Sequence, residues 1–463
     1  MKRNILPVII LSTLLVAVSG LSRGAADKLT YITAYAETDT CDSESDAGSL
    51  TDYPTLIDYA SSLDVVRAHG EEISDIFAPQ GSIVTDAATG QVLWAENIDV
   101  AWTPASMSKL MTIALAYDAV HDGKFTLDTE AEVTDRYVAI SQKYQLSNNV
   151  MIKGCKYTVG ELIDLICVPS SAAATYMLFE MIEPDIDTYV QMMNDKAKEL
   201  GMTETEYVNP VGVENRYLDE FAPTLTPPEA DNYTSCRDYA LLCTYLVNNY
   251  PDIYNHTSQF VKVVKEGTPY EETFTGYNNS LPGGKYPFEG VDGLKTGSAG
   301  FGYNHSVTCK RGDMRLVQII LGVATWDVTE GETVRHIIGN ALLQEAFDKY
   351  EYRKILEKGE YEVNGKKVEV IDDLYDCVPK DQEIKFRWDL EKLTVTADLE
   401  RGYLPGCSAP TSKIEIKSPA APPATKGGAG ALIIAAVAAA LVVIIRWCTA
   451  RRKNAAGRRR RRR

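Results

Sequence analysis

Ser106-Met107-Ser108-Lys109 follows Thr103-Pro104-Ala105 and opens an apolar run, Leu110-Met111-Thr112-Ile113-Ala114-Leu115-Ala116. The run predicts a helix, and a serine and a lysine three residues apart at its start share one face. A serine hydroxyl is a weak nucleophile until a base takes its proton, and a lysine in water keeps its own proton at neutral pH. The pair therefore works only if the amine is desolvated, and Leu110, Met111 and Ile113 are placed to do this. The helix start also offers positive dipole and free backbone N–H groups near Ser106, where an oxyanion would develop. Alone, the tetrad is weak evidence, and an exposed serine and lysine on a surface helix fit it better.

A second segment changes that balance. Val291-Asp292-Gly293-Leu294-Lys295-Thr296-Gly297-Ser298 reads as a strand with a Lys-Thr-Gly core, followed by Gly300, Gly302 and a β-rich run, Leu316 to Val323. A lysine and a hydroxyl beside a glycine, which lets a ligand lie against the backbone, suit the binding of a carboxylate.

S-x-x-K followed far downstream by K-T-G is the signature of penicillin-interacting serine enzymes. From about Ala78 to Phe347 the chain resembles the serine D-alanyl-D-alanine carboxypeptidases among the low-molecular-mass penicillin-binding proteins. Asp86-Ala87-Ala88-Thr89-Gly90-Gln91-Val92-Leu93 is similar to the family's first hairpin, and Pro104-Ala105-Ser106 leads into the nucleophile. Tyr207-Val208-Asn209-Pro210-Val211-Gly212 and Tyr233-Thr234-Ser235-Cys236-Arg237-Asp238-Tyr239-Ala240 match landmarks between the catalytic motifs.

The resemblance implies an α/β fold, a β-lactamase/transpeptidase-like catalytic domain with an antiparallel sheet flanked by helices and a helical subdomain. It implies Ser106 as nucleophile, Lys109 as its base and Ser170 in their proton network. Lys295 and Thr296 would receive the terminal carboxylate beside Gly297, and the N–H groups of Ser106 and Ser298 would hold the oxyanion. The substrate implied is a peptidoglycan stem peptide ending in D-Ala-D-Ala, with β-lactams as covalent inhibitors. A D,D-endopeptidase shares every motif, a low-turnover penicillin-binding sensor remains open, and a β-lactamase lacks a convincing segment to hold its hydrolytic water.

One block departs from the family pattern. The middle motif, S-x-N, reads here Ser170-Ser171-Ala172. A literal S-x-N at Ser147-Asn148-Asn149 precedes the strand-like Val150-Met151-Ile152 and the helix Thr158 to Val168, and reads as a decoy. The missing carboxamide would normally bond the substrate backbone, so Ala172→Asn would be expected to add one hydrogen bond, with Ser171 the first candidate substitute.

A chain of 463 residues with 45% apolar content can bury a large core. Residues 1–26, with Lys2, Arg3 and an apolar stretch from Ile5 to Val18, read as a signal peptide. Residues 27–77 form an acidic extension in which Asp39 to Asp52 resembles a disordered spacer and Tyr53 to Val66 a short amphipathic helix. The catalytic domain is expected over 78–349 and a small β-rich domain over 350–418, its strands at Lys366–Ile371, Glu383–Trp388, Leu393–Ala397 and Ile414–Lys417. A Pro/Ala/Gly linker (419–427) leads to one transmembrane helix (428–446), whose stretch Gly428 to Ile445 is uncharged. The arginine-rich tail (447–463) reads as a cytoplasmic stop-transfer flank and not as a nucleic-acid site. The expected location is the cell membrane, single-pass, with the catalytic domain outside.

The net charge is −17; without residues 1–26, at +3, and 427–463, at +10, the exported body carries about −30. Such a body repels polyanions and an anionic membrane surface. Eight of nine cysteines lie in that body. Cys167, Cys236 and Cys243 read as buried thiols, and Cys377 with Cys407 as the most plausible disulfide. The histidines His69, His121, His256, His305 and His336 lack metal-ligand spacing, so neither metal nor cofactor is inferred.

Overall fold

The computed structural model describes residues 54–417. The expected signal segment, residues 27–53 of the acidic extension, and the expected linker, membrane span and basic tail lie outside the described residues. Among those described, no helix is long and apolar enough to cross a membrane.

In chain order the elements are α1 (Ser62–Ala68), β1 (Gly81–Asp86), β2 (Val92–Glu96), α2 (Lys109–His121), β3 (Glu130–Glu132), α3 (Asp135–Ser141), β4 (Lys156–Thr158), α4 (Val159–Cys167), α5 (Ala172–Ile182), α6 (Ile186–Glu199), α7 (Cys236–Asn249) and α8 (Tyr254–Thr257). There follow β5 (Val261–Val264), β6 (Glu272–Thr275), β7 (Val291–Ala299), β8 (Gly302–Arg311), β9 (Met314–Val323) and α9 (Gly331–Lys349). The β-rich region holds β10 (Tyr350–Leu356), β11 (Gly359–Val363), β12 (Lys366–Val370), β13 (Leu374–Pro379), β14 (Phe386–Asp389), β15 (Thr394–Ala397) and β16 (Ser412–Ile416).

The first domain is built on a five-stranded antiparallel sheet of order β2-β1-β9-β8-β7, with the Lys-Thr-Gly strand at one edge. Helices α1 and α9 pack beside it, and Leu63, Val65, Val66, Val84, Leu93, Ile320 and Leu342 share one apolar core. Helix α7 contacts β1 and β9, and α2 packs among α5, α6 and α7. Lys109 through Tyr117, with Ala119, are all buried, so α2 is enclosed on every side. That is why its sequence is apolar without a polar face. The α/β catalytic fold of antiparallel sheet, flanking helices and helical subdomain stands as expected.

The expected helix over Tyr53–Val66 is instead α1. Ser61 caps it by accepting from Asp64 N, and before it Leu56 N donates to Tyr350 Oη at 2.6 Å, holding that segment outside the helix. In the β-rich domain, β10, β11 and β13 went unread. The strongest missed signal was Asn364-Gly365, a two-residue turn with φ of 51° and 74° that joins β11 to β12 and pairs Val363 with Lys366. The expected Cys377–Cys407 disulfide is absent: both are free thiols, Cys377 in the apolar core and Cys407 against Gly90.

Arg401 fastens the two domains. Its guanidinium bonds both Asp376 oxygens, at 2.9 and 2.5 Å, the Cys377 carbonyl at 2.9 Å, and Gln91 Oε1 at 2.7 Å in the first hairpin. Its side chain is 3% exposed and that of Asp376 0%. Breaking such a pair strands a charge without water. Arg401→Ala should therefore cost about 3–5 kcal/mol in denaturant unfolding; a loss below about 1 kcal/mol would show that the Asp376 charge is not stranded when its partner is removed.

Candidate active site

Ser106 sits in a 3-10 turn, Ala105–Ser108, that runs directly into α2. Ala105 adopts φ of 50°, a costly left-handed conformation that persists only where the surroundings enforce it. They do so from three sides. Ser108 Oγ donates to Ala105 O at 2.8 Å and accepts from Asn232 Nδ2 at 2.8 Å, while Tyr239 Oη donates to Met107 O at 2.7 Å. Tyr239 belongs to the second landmark block of the sequence and Asn232 immediately precedes it, so this stretch clamps the Ser106 turn.

Lys109 is 2% exposed. Its Nζ lies 2.8 Å from Ser106 Oγ and 2.8 Å from the carbonyl of Val211. Asn209 shapes that carbonyl's loop, because its Oδ1 accepts from Val211 N and Gly212 N. Gly212, at φ of 77°, tolerates no side chain, since a Cβ there would stand 1.9 Å from Ala105 O. Burial drives the Lys109 amine well below its usual range, and the nearby positive charge of Lys295 pushes the same way.

Lys295, on β7, is also 2% exposed. Its Nζ donates to Ser170 Oγ at 3.0 Å and to Thr296 O at 2.9 Å. Burial lowers it to about 7, and the positive charge of Arg335 acts in the same direction. Gly297 is required by contact, because a Cβ would stand 2.3 Å from Pro104 O of the nucleophile turn. The strand and the serine thus approach through bare backbone.

Ser170 adopts φ of 61° just before α5. Its hydroxyl meets Lys295 and, among the described residues, makes no hydrogen bond to Ser106 or Lys109. The expected bridge between that serine and its base is therefore replaced by a link to the second lysine. Ser106, Ser170, Lys295, Thr296, Gly297 and Ser298 line one cavity of about 140 Å³, together with Ser147, Tyr277, Tyr303, Trp326 and Glu332. A larger cavity, about 630 Å³, lies by the far end of α2 around Asp118, His121, Lys196 and Tyr245; no serine, threonine or cysteine lines it.

Two parts of the site escaped the sequence reading. Arg335, fully buried on α9, donates through Nη1 to Gly297 O at 3.1 Å, Ser298 Oγ at 3.0 Å and Asn304 O at 3.1 Å. Nothing local marks it, since only the tertiary fold brings α9 behind the strand. The second is Ser147-Asn148-Asn149, which is no decoy in space. Ser147 O accepts from Ala172 N at 2.9 Å, Asn148 Oδ1 from Ala173 N at 2.8 Å, and Asn149 Oδ1 from Ser171 Oγ at 2.7 Å. Ala172 itself is 1% exposed and does not line the cavity.

The geometry defines a class: a serine-hydrolase fold in which a buried amine touches a serine hydroxyl at a helix start and a Lys-Thr-Gly edge strand closes the opposite wall. The D-alanyl-D-alanine carboxypeptidase family model matches residues 68–325, more than half of the chain, and the chain belongs to that family. A domain of unknown function (DUF1958) matches residues 352–415. D-alanyl-D-alanine carboxypeptidase DacF of Bacillus subtilis is 26% identical over 282 residues, 61% of this chain and 65% of that protein. DacA of Haemophilus influenzae is 25% identical over 349 residues, 71% and 79% of the two chains. In fold, the chain is similar to a peptidoglycan synthesis regulatory factor (PBP3) from Streptococcus pneumoniae, with a TM-score of 0.63, 24% identity, and 74% of this chain and 99% of the other covered.

The lowered affinity of Lys295 for its proton has a thermodynamic sign. Below about 7 the folded and unfolded chains both hold that proton, and the folded state bears the full cost of burying it; between about 7 and the ordinary 10.5 only the unfolded chain holds it, so stability rises with pH. Lys295→Met should raise the melting temperature by roughly a few degrees at pH 6, and this advantage should shrink steadily above pH 7. A pH-independent difference would contradict the burial of a charge there.

Proposed function

We propose that the protein is a serine D-Ala-D-Ala carboxypeptidase that removes the terminal D-alanine from peptidoglycan stem pentapeptides. The observation that carries this reading is the 2.8 Å contact between Lys109 Nζ and Ser106 Oγ with the amine shut away from water. A neutral amine at that distance takes the hydroxyl proton as Ser106 attacks the carbonyl between the two D-alanines. The backbone N–H groups of Ser106 and Ser298 receive the oxyanion. Lys295 and Thr296 receive the terminal carboxylate, which restores full charge to an amine that burial has weakened. Lys109 then returns its proton to the departing D-alanine nitrogen, and water hydrolyses the ester. Ser170 holds Lys295 in place and carries protons on its side of the cavity.

A β-lactam presents a strained amide and a carboxylate at the spacing of the dipeptide and acylates Ser106 in its place. The signal-like segment 1–26, the uncharged stretch 428–445 and the basic tail support a single-pass protein of the cell membrane, with the catalytic domain outside and the tail in the cytoplasm.

The full-length protein in detergent should release D-alanine from a D-Ala-D-Ala pentapeptide. Ser106→Ala and Lys109→Ala should abolish covalent labelling by a fluorescent penicillin while the circular dichroism spectrum stays unchanged. Lys295→Ala should slow acylation by roughly 10²-fold. Undiminished labelling of the Ser106 variant would remove it as the nucleophile.

A further inference from the structure

The carboxamide that the resemblance places in the middle motif is Ala172 here, so a polar contact to the substrate beside the scissile carbonyl would need another donor or acceptor. Ser171, the neighbour in sequence, is not free for it. It is 0% exposed, its Oγ donates to Asn149 Oδ1 at 2.7 Å, and it accepts from Ala174 N at 3.1 Å as the cap of α5.

The loop before α4 offers a different group. Its attachment to the start of α5 is made through three successive residues, the Ser147 carbonyl and the Asn148 and Asn149 side chains, while Asn148 Nδ2 also donates to Ile140 O at 3.0 Å. Both carboxamides are thus spent on holding the loop. The Ser147 hydroxyl is left over: it makes no hydrogen bond among the described residues, it is exposed, and Ser147 lines the cavity with Ser106 and Ser170. A hydroxyl whose own carbonyl and next two residues are anchored costs little further ordering when it bonds a ligand.

We propose that Ser147 is the substrate-binding residue that takes over from the absent carboxamide, its hydroxyl bonding the acylamino group of the peptide or of a β-lactam side chain. The inference rests on the carboxypeptidase reading for its peptide substrate, while the β-lactam arm stands apart from it. With Lys295 and Thr296 receiving the carboxylate, the group on the other side of the scissile carbonyl meets the wall formed by Ser170 and Ser147. Asn148 and Asn149 are positioning residues in this scheme, and Ala172 is a filler under the loop.

The test compares acylation of the full-length protein by benzylpenicillin with acylation by a penam that lacks the acylamino side chain, alongside D-alanine release from an N-acylated D-Ala-D-Ala peptide. Ser147→Ala should slow benzylpenicillin acylation and lower kcat/KM for the peptide roughly threefold to tenfold, the scale of one net hydrogen bond. It should leave the truncated penam unaffected, and Ser147→Thr should restore both losses. Equal losses on the two β-lactams, no loss on either, or a loss that follows Tyr277→Phe and not Ser147→Ala would overturn the assignment. If wild type releases no D-alanine yet Ser147→Ala selectively slows benzylpenicillin acylation, the carboxypeptidase reading falls and the Ser147 contact stands.

Discussion

Two lysines share a pocket that water barely reaches, and the rest of the site is arranged around the difficulty of keeping two ammonium charges there. Lys109 and Lys295 are each 2% exposed, and the charge of Lys295 disfavours a proton on Lys109. Placing like charges together in a desolvated cavity is costly, so the arrangement favours a neutral amine on one side and a charge on the other. Burial and the Lys295 charge both push the Lys109 amine, the one on the serine, toward its neutral form. The remaining one faces the wall of Thr296 and Gly297, where an anion relieves it.

This constraint explains features that look unrelated along the chain. Gly212 and Gly297 let backbone approach the nucleophile turn so closely that any side chain would collide, and water is thereby excluded from Lys109. Asn209 and Asn232 set the loop whose carbonyl receives the amine. Arg335 lies behind the edge strand with one guanidinium nitrogen on two carbonyls and the Ser298 hydroxyl, and its positive charge adds to the pressure on Lys295.

What could be read in the sequence was local. Ser106 and Lys109 are joined by a turn of helix, and Lys295 to Ser298 by a strand, so their mutual geometry follows from secondary structure alone. Arg335 and Ser147 enter the site only because tertiary folding carries them there. The literal S-x-N at Ser147 reads as a decoy from its place along the chain, yet pairing of its carboxamides with the start of α5 brings Ser147 to the cavity. Strands β10, β11 and β13 were missed for a related reason. β10 and β11 carry charges at Glu351, Lys354, Glu360 and Glu362 that blur their alternation, and Leu374 of β13 finds its partner, Leu356, in a strand that is not its neighbour in sequence. Arg401 and Asp376, which tie this domain to the first hairpin, carry no local signal either.

The central claim is that burial and a neighbouring charge make Lys109 a base. Titrating the lysine side chains by NMR, with isotope at the carbon next to the amine, tests it most directly. The account predicts that Lys109 loses its proton well below the ordinary 10.5 and that Lys295→Met moves its titration upward. A Lys109 that titrates near 10.5 in the folded protein, indifferent to Lys295, would contradict it.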